Sequence, residues 1–349
     1  MTRRILFLVL LLPLLAAAQM PVQSAVAVTF DDLPYAAVAA DDDVSLQRMT
    51  DRLLQQLQTE RVPAVGFVNE AKLYRDGQLV PARVDLLRSW IRAGFELGNH
   101  TYSHPSLDRI PLDAFEADLL QGETVTRPLM QGAGKNLRWF RHPFLHQGTS
   151  LEVRTAFRDF LTAHGYAVAP VTVNSAEWVF AAAYARAQAQ GDADAARRIG
   201  VAYVPYMQSV FAQAEQLALD LFGRPIPQVL VLHANALNAD QFDALAAMLR
   251  QRGYRFISLD DALRDRAYAT PTGLGGVDGE SWLECWARQA GLRPGGLEPV
   301  FVAADAPLDL ARPEVREAPH PLHGPAFGVQ RHEVNRYARR HPEAGRPVR

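Results

Sequence analysis

The sequence predicts an α/β protein built around a distorted parallel (β/α) barrel of about seven strands, with a helical insertion and a C-terminal extension. Short apolar runs alternate with longer segments whose apolar residues recur at helical spacing, and this alternation is typical of parallel strands joined by crossover helices. Residues 25–30 form an unbroken run before Asp31, as in strands that are buried on both faces. Polar residues also follow several strand candidates directly, where barrel enzymes assemble their active sites.

The elements are assigned in chain order from these patterns. The predicted strands cover residues 25–30, 63–68, 95–97, 137–140, 166–169, 171–173, 229–232 and 255–258. The predicted helices between them cover residues 44–59, 84–93, 112–130, 151–164 and 240–252. A further short helix is expected over residues 281–290. The chain of 349 residues is 48% hydrophobic, which is enough to bury one large core.

The chain divides into four predicted parts. Residues 1–18 read as a secretory signal peptide, because arginines precede an apolar stretch and three alanines offer a cleavage site. The catalytic barrel is expected over 24–268, with an alanine-rich helical insertion over 179–224 that is broken at Gly191 and Gly200. Residues 269–349 form a C-terminal extension, expected to be poorly ordered from about 313.

Charge, cysteine content and hydropathy exclude several classes of protein. The formal net charge of −2 gives no indication of nucleic-acid binding. No membrane span is expected once the signal peptide is cleaved, since the apolar stretch is well short of the ~20 residues that cross a bilayer. The single cysteine, Cys285, excludes an intramolecular disulfide. We therefore predict an exported protein, periplasmic or secreted, whose core is stable without disulfides; the sequence does not indicate its oligomeric state.

A pair of histidines and a pair of aspartates are the most informative motifs. His100 and His104 are four residues apart, a spacing that places both on one face of a helical turn, and a carboxylate from elsewhere can complete a three-ligand metal site. Asp31 and Asp32 follow the first strand candidate. Each motif alone is weak, since such residues also occur in surface pairs, turns and helix caps. Their positions at strand ends favour metal-assisted hydrolysis.

Three further clusters complete an ordered set with these two motifs. The five segments read TFDD at 29–32, HTYSH at 100–104, RHPF at 141–144, NSAEW at 174–178 and LVLH at 230–233. Together they resemble the five motifs of the polysaccharide deacetylases, carbohydrate esterase family four. The resemblance covers residues 25 to about 265, and the ordered set is specific although any one motif is not.

The resemblance implies a role for each motif residue. Asp32, His100 and His104 would hold a divalent metal, most likely Zn²⁺. Asp31 would be the general base acting on the attacking water, and Arg141 would orient it. His233 would be the general acid, held protonated by Glu177. Pro143 would fix a backbone N–H that stabilises the oxyanion, and the apolar pocket for the acetyl methyl group would be lined by Phe144 and Trp178.

The sequence departs from the family pattern at four positions. Leu33 stands where the family usually has glycine, and Ala234 stands where it often has aspartate. In the fourth motif, two aspartates are replaced by Asn174 and Glu177. We expect Leu33 to narrow the approach to the metal. The greater length of Glu177 leaves its contact with His233 open. Three of the motif residues also have a non-functional alternative. Arg141 could be a surface residue, Trp178 a core residue and His233 a structural histidine.

The predicted function is an exported metal-dependent hydrolase that removes acetyl groups from an N-acetylated polysaccharide or oligosaccharide. Its partner would be an acetylated glycan substrate. Two alternatives stay open: an O-acetyl esterase or non-sugar amidase with the same site, or a non-catalytic carbohydrate-binding barrel.

Overall fold

The computed structural model describes residues 24–39, 42–273 and 279–293. The predicted signal peptide at 1–18 and the predicted poorly ordered tail from 313 lie outside the described residues. Among the helices of the described ranges, none combines the length and the apolar character needed to cross a membrane.

A parallel sheet forms the centre of the fold. Its strands run in the order β7-β6-β5-β2-β1-β8, and β9 pairs with the first two residues of β1. A separate antiparallel hairpin, which the sequence did not predict, joins β3 to β4. The bounds are β1 Ala25–Leu33, β2 Val65–Val68, β3 Tyr74–Arg75, β4 Gln78–Leu79, β5 Glu96–Asn99, β6 Trp139–Phe140, β7 Ala167–Val168, β8 Gln228–His233 and β9 Arg255–Phe256.

One chain segment joins the two outer strands of this sheet. At its start, the N–H of Ala169 donates to the carbonyl of Phe140 in β6. At its end, Val173 forms a parallel bridge with Leu230 of β8. The segment thereby closes the sheet into a distorted parallel barrel with helices around it. The predicted fold class is confirmed.

The helices agree with the sequence patterns in most places. Their bounds are α1 Asp43–Thr59, α2 Pro81–Arg92, α3 Leu112–Gln121, α4 Thr126–Gly132, α5 Leu151–Ala163, α6 Glu177–Ala189, α7 Ala193–Phe222, α8 Ala236–Gln251, α9 Leu259–Leu263 and α10 Trp282–Gln289. Short 3-10 helices cover Glu70–Leu73, Pro143–Leu145 and Arg266–Ala269.

Two predicted helical features are wrong. The single helix expected over 112–130 is two helices, because the first ends at Gly122. Gly200 does not break the insertion: it lies inside α7 and packs closely against the side chain of Gln241. The break between α6 and α7 falls at Gly191, whose φ is 70°. The division into a barrel at 24–268 and an insertion at 179–224 remains a prediction.

Strand β1 has two buried faces, and they differ in what they contact. Val26, Val28 and Phe30 belong to the large core between the sheet and its helices. Ala25 and Ala27 belong to a smaller cluster on the opposite face, inside the barrel. Because side chains alternate along a strand, residues 29 and 31 continue this inner face toward the carboxyl end. The inner face therefore changes from alanine to polar residues where the candidate site lies.

Candidate active site

The candidate residues of four strands meet at one end of the barrel. Asp31 and Asp32 lie near the end of β1, and His233 is the last residue of β8, in register with Asp31. His100 directly follows β5, and Arg141 directly follows β6. All of them except His233 are buried, with at most 4% of the residue exposed. The predicted strand-end cluster thus exists as a group of mostly buried charged and polar side chains.

The two aspartates face the same cluster although they are consecutive in a strand. Regular alternation would point one carboxylate inward and the other toward the helices. Asp32 instead has φ 68°, and the pairing of β1 with β2 shifts register between Phe30 and Leu33. As a result, Nε2 of His100 lies 3.8 Å from Oδ2 of Asp31 and 3.9 Å from Oδ1 of Asp32. A left-handed aspartate costs about 1–2 kcal/mol, which its surroundings must offset.

The two histidines lie in a loop, so the predicted helical turn over 100–104 is wrong. Thr101 and His104 have φ values of 68° and 60°, which no helix contains. The loop nevertheless brings the two rings together, with centroids 4.8 Å apart. Nε2 of His104 lies 3.6 Å from Oδ1 of Asp32. The histidine spacing therefore selected two residues that do lie together, but for a wrong geometric reason.

Buried polar side chains hold this loop in its unusual conformation. Oδ1 of Asn99 accepts from the N–H of Thr101 at 2.6 Å. One carboxylate oxygen of Asp118 accepts from two consecutive loop N–H groups, at 2.9 Å each, and the other accepts from Oγ of Ser103 at 2.6 Å. Gly122, just after α3, approaches the loop so closely that a Cβ would overlap the backbone of Thr101. The end of α3 is thus shaped to support the histidine loop.

Asp32, His100 and His104 can hold a metal ion. One ligand atom from each lies within 4.8 Å of the other two, and all three residues are buried. Nδ1 of His100 lies 2.8 Å from the carbonyl oxygen of Arg141, to which it donates, and this leaves Nε2 as the ligand atom. Burial lowers the pKa of His100, which favours the neutral imidazole that a metal requires. Two imidazoles and one carboxylate are a donor set that suits Zn²⁺.

Arg141 is fully buried and joins four parts of the barrel interior, so the alternative of a surface arginine is wrong. Its Nη1 lies 3.3 Å from Oδ2 of Asp31. Its Nε donates to the carbonyl of Ala169 at 2.8 Å, and its Nη2 donates to Oγ1 of Thr29 at 2.9 Å. The guanidinium also lies over the ring of Phe67, 4.6 Å from its centroid. These contacts fix the Arg141 guanidinium, which in turn holds the Asp31 carboxylate in position.

His233 and Glu177 form a close pair despite the unusual glutamate. Nδ1 of His233 lies 2.7 Å from Oε2 of Glu177. The other glutamate oxygen accepts from the side-chain amides of Asn235 and Asn238, at 2.5 and 2.7 Å. Burial by itself lowers the pKa of His233, but the Glu177 carboxylate, together with Asp32 and Asp31, outweighs it and raises the pKa to about 9. His233 is therefore an imidazolium at neutral pH, with its Nε2 proton not engaged by Glu177.

The predicted substrate-binding residues lie on two sides of the cluster. Pro143 starts a 3-10 helix, and Phe144 within it has φ 56°. The Phe144 ring is 36% exposed and packs edge-on against His104 at 4.4 Å. Trp178 follows Glu177 at the start of α6 and is 43% exposed, so the alternative of a core tryptophan is wrong. Two partly exposed aromatic side chains thus stand beside the buried polar residues.

The four departures from the family pattern have different consequences. Leu33 is fully buried, and its side chain packs over Gly66. A Cβ on Gly66 would lie 2.5 Å from Cδ2 of Leu33. The expectation that Leu33 narrows the approach to the metal is therefore wrong. Asn174 donates to the carbonyl of Gly279 at 3.3 Å, and Ala234 is buried, with its N–H donating to the carbonyl of Asp31.

Two histidines that follow Arg141 closely in the chain, His142 and His146, have different environments. His142 is buried against the ring of Phe157, and burial lowers its pKa to about 3. His146 contacts Oγ of Ser106 at 2.7 Å through Nδ1. His142 is therefore a core residue, and His146 supports the rim of the site.

Sequence reasoning missed the residues that support the site. They are Lys72, Asn99, Asp118, Asn235 and Asn238, and four of the five are fully or nearly fully buried. The asparagine pair follows the strand-end histidine of β8 directly, and Asn99 precedes the histidine motif, so adjacency to a motif was an available signal. Lys72 carried a weaker signal, since it is one of only two lysines in an arginine-rich chain. Asp118 carried no signal in the sequence, because an acidic residue at its position in α3 is what the exposed face of an ordinary helix would show.

The structure is a parallel barrel with a candidate metal-binding triad, a neighbouring carboxylate and a histidine of raised pKa at the carboxyl ends of its strands. Residues 19–168 match the family model described as polysaccharide deacetylase. This part of the chain is therefore similar to the polysaccharide deacetylases. The first three of the five motifs fall inside this match, whereas Glu177 and His233 lie beyond it.

Several solved structures match this chain at low sequence identity and low TM-score. A family 4 carbohydrate esterase from Streptomyces lividans in complex with acetate is 19% identical, with 68% of this chain and 95% of that chain covered and a TM-score of 0.41. A polysaccharide deacetylase from Bacillus cereus is 18% identical, with 68% and 92% covered and a TM-score of 0.44. A CE4 family pseudoenzyme from Bacillus anthracis is 16% identical, with 70% and 66% covered and a TM-score of 0.44. No sequence match to a curated protein was found.

Proposed function

We propose that this protein is an exported, metal-dependent hydrolase that removes acetyl groups from an N-acetylated polysaccharide or oligosaccharide. The observation that carries the proposal is that three possible metal ligands and two possible proton-transfer residues meet at one end of the barrel. The Asp32, His100 and His104 ligand atoms lie within 4.8 Å of one another. Beside them stand an arginine-held Asp31 and an imidazolium at His233.

The chemistry requires one group that removes a proton and one that supplies a proton. Asp31 would accept the proton of the attacking water, and the contact with Arg141 beside the proposed metal ligands supports this role. His233 is placed to donate a proton to the leaving amine, because Glu177 keeps it charged at neutral pH. The two side chains come from paired positions of adjacent strands, so base and acid face one reaction centre.

A divalent ion, which we propose to be Zn²⁺, would be held by Asp32, His100 and His104. When bound, such an ion polarises a carbonyl oxygen and makes a nearby water more acidic, which is the chemistry that amide hydrolysis needs. Phe144 lies against the ring of His104, so it would form the apolar wall for the acetyl methyl group. Pro143 would fix the adjacent backbone, and Trp178 would line the same acetyl pocket as Phe144.

Acetate release from the purified mature protein tests this proposal. The substrates would be acetylated chitin oligomers, peptidoglycan and acetylated xylan, each with and without chelator and with zinc added back. We expect release that chelator abolishes and zinc restores. Asp31→Asn should lose roughly 10²–10⁴-fold in rate, because the general base is removed, while its zinc content is retained.

Asp260→Asn is the matched control, since Asp260 also pairs with an arginine, Arg138, but outside the site. Its rate should stay near that of the wild type. Release only from acetylated xylan would favour the O-acetyl esterase alternative. No release from any substrate by a zinc-loaded protein would contradict the proposal and favour a non-sugar amidase or a carbohydrate-binding barrel.

A further inference from the structure

A buried lysine lies next to the proposed metal ligands, and the chemistry described so far does not use it. Lys72 belongs to the 3-10 helix that follows β2, and its side chain is only 2% exposed. Its Nζ donates to the carbonyl oxygens of Asp32 and Tyr35, at 2.9 and 3.0 Å. The same nitrogen lies 3.6 Å from Oδ1 of Asp32. The two carbonyls accept hydrogen bonds from the ammonium group, and the Asp32 carboxylate lies beside it as an ion-pair partner.

The backbone contacts explain how Asp32 keeps its left-handed conformation. The φ of 68° at Asp32 turns its carboxylate into the cluster, and the Lys72 bond to the Asp32 carbonyl holds that turn from the far side. Burying an ammonium is costly unless it is paired, so the lysine and the aspartate each depend on the other. Removal of Lys72 would leave a buried carboxylate without its cationic neighbour.

The charges of the cluster balance in pairs. Arg141 lies beside Asp31, and Lys72 lies beside Asp32, so two cations compensate two buried carboxylates. A divalent ion held by Asp32 would share this carboxylate with the Lys72 ammonium group, and the two like charges would repel each other.

We propose that Lys72 is a positioning residue that acts through Asp32: it holds this ligand ready for the metal while lowering the affinity of the site for it. Because the carboxylate is shared, it donates less charge to the ion, which stays the stronger Lewis acid. This inference rests on the proposed function of the metal site. It gives Lys72 two effects of opposite sign, on metal affinity and on turnover.

Zinc affinity of the apoprotein, measured by competition with a chromophoric chelator, tests the inference. We expect Lys72→Met to bind zinc about tenfold more tightly or better, since a repelling charge is removed. At saturating zinc, we expect its kcat for deacetylation to fall while KM changes little. A lysine that only stabilised the fold would lower the melting temperature and leave the zinc affinity of the folded protein unchanged.

Lys135→Met is the matched control, because the other lysine of the chain also donates to two backbone carbonyls, those of Gly94 and Phe95, away from the site. Its zinc affinity should equal that of the wild type. Lys72→Gln, which keeps a donor without the charge, replaces Lys72→Met if the latter does not fold. Unchanged or weaker zinc binding in the Lys72 variant would overturn the inference while the metal site stands. No zinc binding by the wild type would overturn both.

Discussion

At the scale of single residues, the glutamate at position 177 has the most testable consequence. Its carboxylate lies 2.7 Å from His233 and raises the pKa of that imidazole to about 9, against the opposing effect of burial. The protonated form is therefore present below about pH 9 and is lost as the pH rises through that value. If His233 is the general acid, the rate of deacetylation should fall over the same pH range, which gives the alkaline limb of the pH–rate profile.

Glu177→Gln should shift this limb to lower pH. Without the carboxylate, burial remains as the main influence, so the pKa of His233 should fall to its ordinary value of 6.5 or below. We expect the rate at neutral pH to drop and the alkaline limb of the kcat profile to move toward acid pH. Glu215→Gln, which removes a carboxylate paired with Arg252, is the control and should leave the profile in place. An unshifted limb in Glu177→Gln would show that another group supplies the proton.

Residue spacing predicted the members of the site better than their geometry. The order of the motifs located Asp31, His100 and His233 because polar residues at strand ends must meet at one edge of a parallel barrel. It could not show that Asp32 is left-handed, since φ depends on neighbours distant in sequence. Nor could it show Lys72, whose role depends on a contact across 40 positions.

At the scale of elements, the C-terminal extension contributes to the wall of the site. Gly279 has φ 67°, and it lies so close to the carbonyl of Phe144 that a Cβ would overlap it. The Asn174 side chain donates to the carbonyl of the same glycine. Trp282 at the start of α10 donates its N–H to the carbonyl of Val171 at 2.7 Å. The extension thus contacts the loops that carry the third and fourth motifs.

Gly279→Ala should therefore displace the Phe144 wall. We expect KM for an acetylated oligosaccharide to rise roughly tenfold, as for the loss of one good apolar contact, with zinc affinity unchanged. Gly291→Ala controls for backbone strain, because Gly291 has φ 75° but no atom near its missing Cβ. Equal kinetics in the two variants would contradict a role for the extension in substrate binding.

The elements that sequence reasoning placed wrongly share one cause. Apolar periodicity runs without interruption through 112–130, yet the chain turns at Gly122 because the histidine loop packs there. Gly200 was expected to break a helix, but α8 packs against it through Gln241 and the helix continues. In both places tertiary contacts outweigh local propensity, and a single sequence does not display them.

At the scale of the whole molecule, the proposed metal ligands connect parts of the barrel that are distant along the chain. Asp32 belongs to β1, while His100 and His104 belong to the loop after β5. Asn69, after β2, joins them, since its N–H donates to the Leu33 carbonyl and its side chain donates to the His100 carbonyl. An ion bound there would hold native geometry that the unfolded chain lacks, so binding and folding should be coupled.

Zinc should consequently raise the melting temperature of the intact protein. At a free zinc concentration a hundredfold above Kd, one site adds about 2.7 kcal/mol to the free energy of unfolding, which corresponds to a shift of several degrees. His104→Ala should abolish both the shift and the bound zinc found by elemental analysis, because a pair of remaining ligands holds the ion poorly. His164→Ala, at the end of α5, removes a histidine outside the cluster and should keep the full shift. An undiminished zinc-induced shift in His104→Ala would mean that the ion stabilises the barrel from another place, and the assignment of the triad would then fail as a whole.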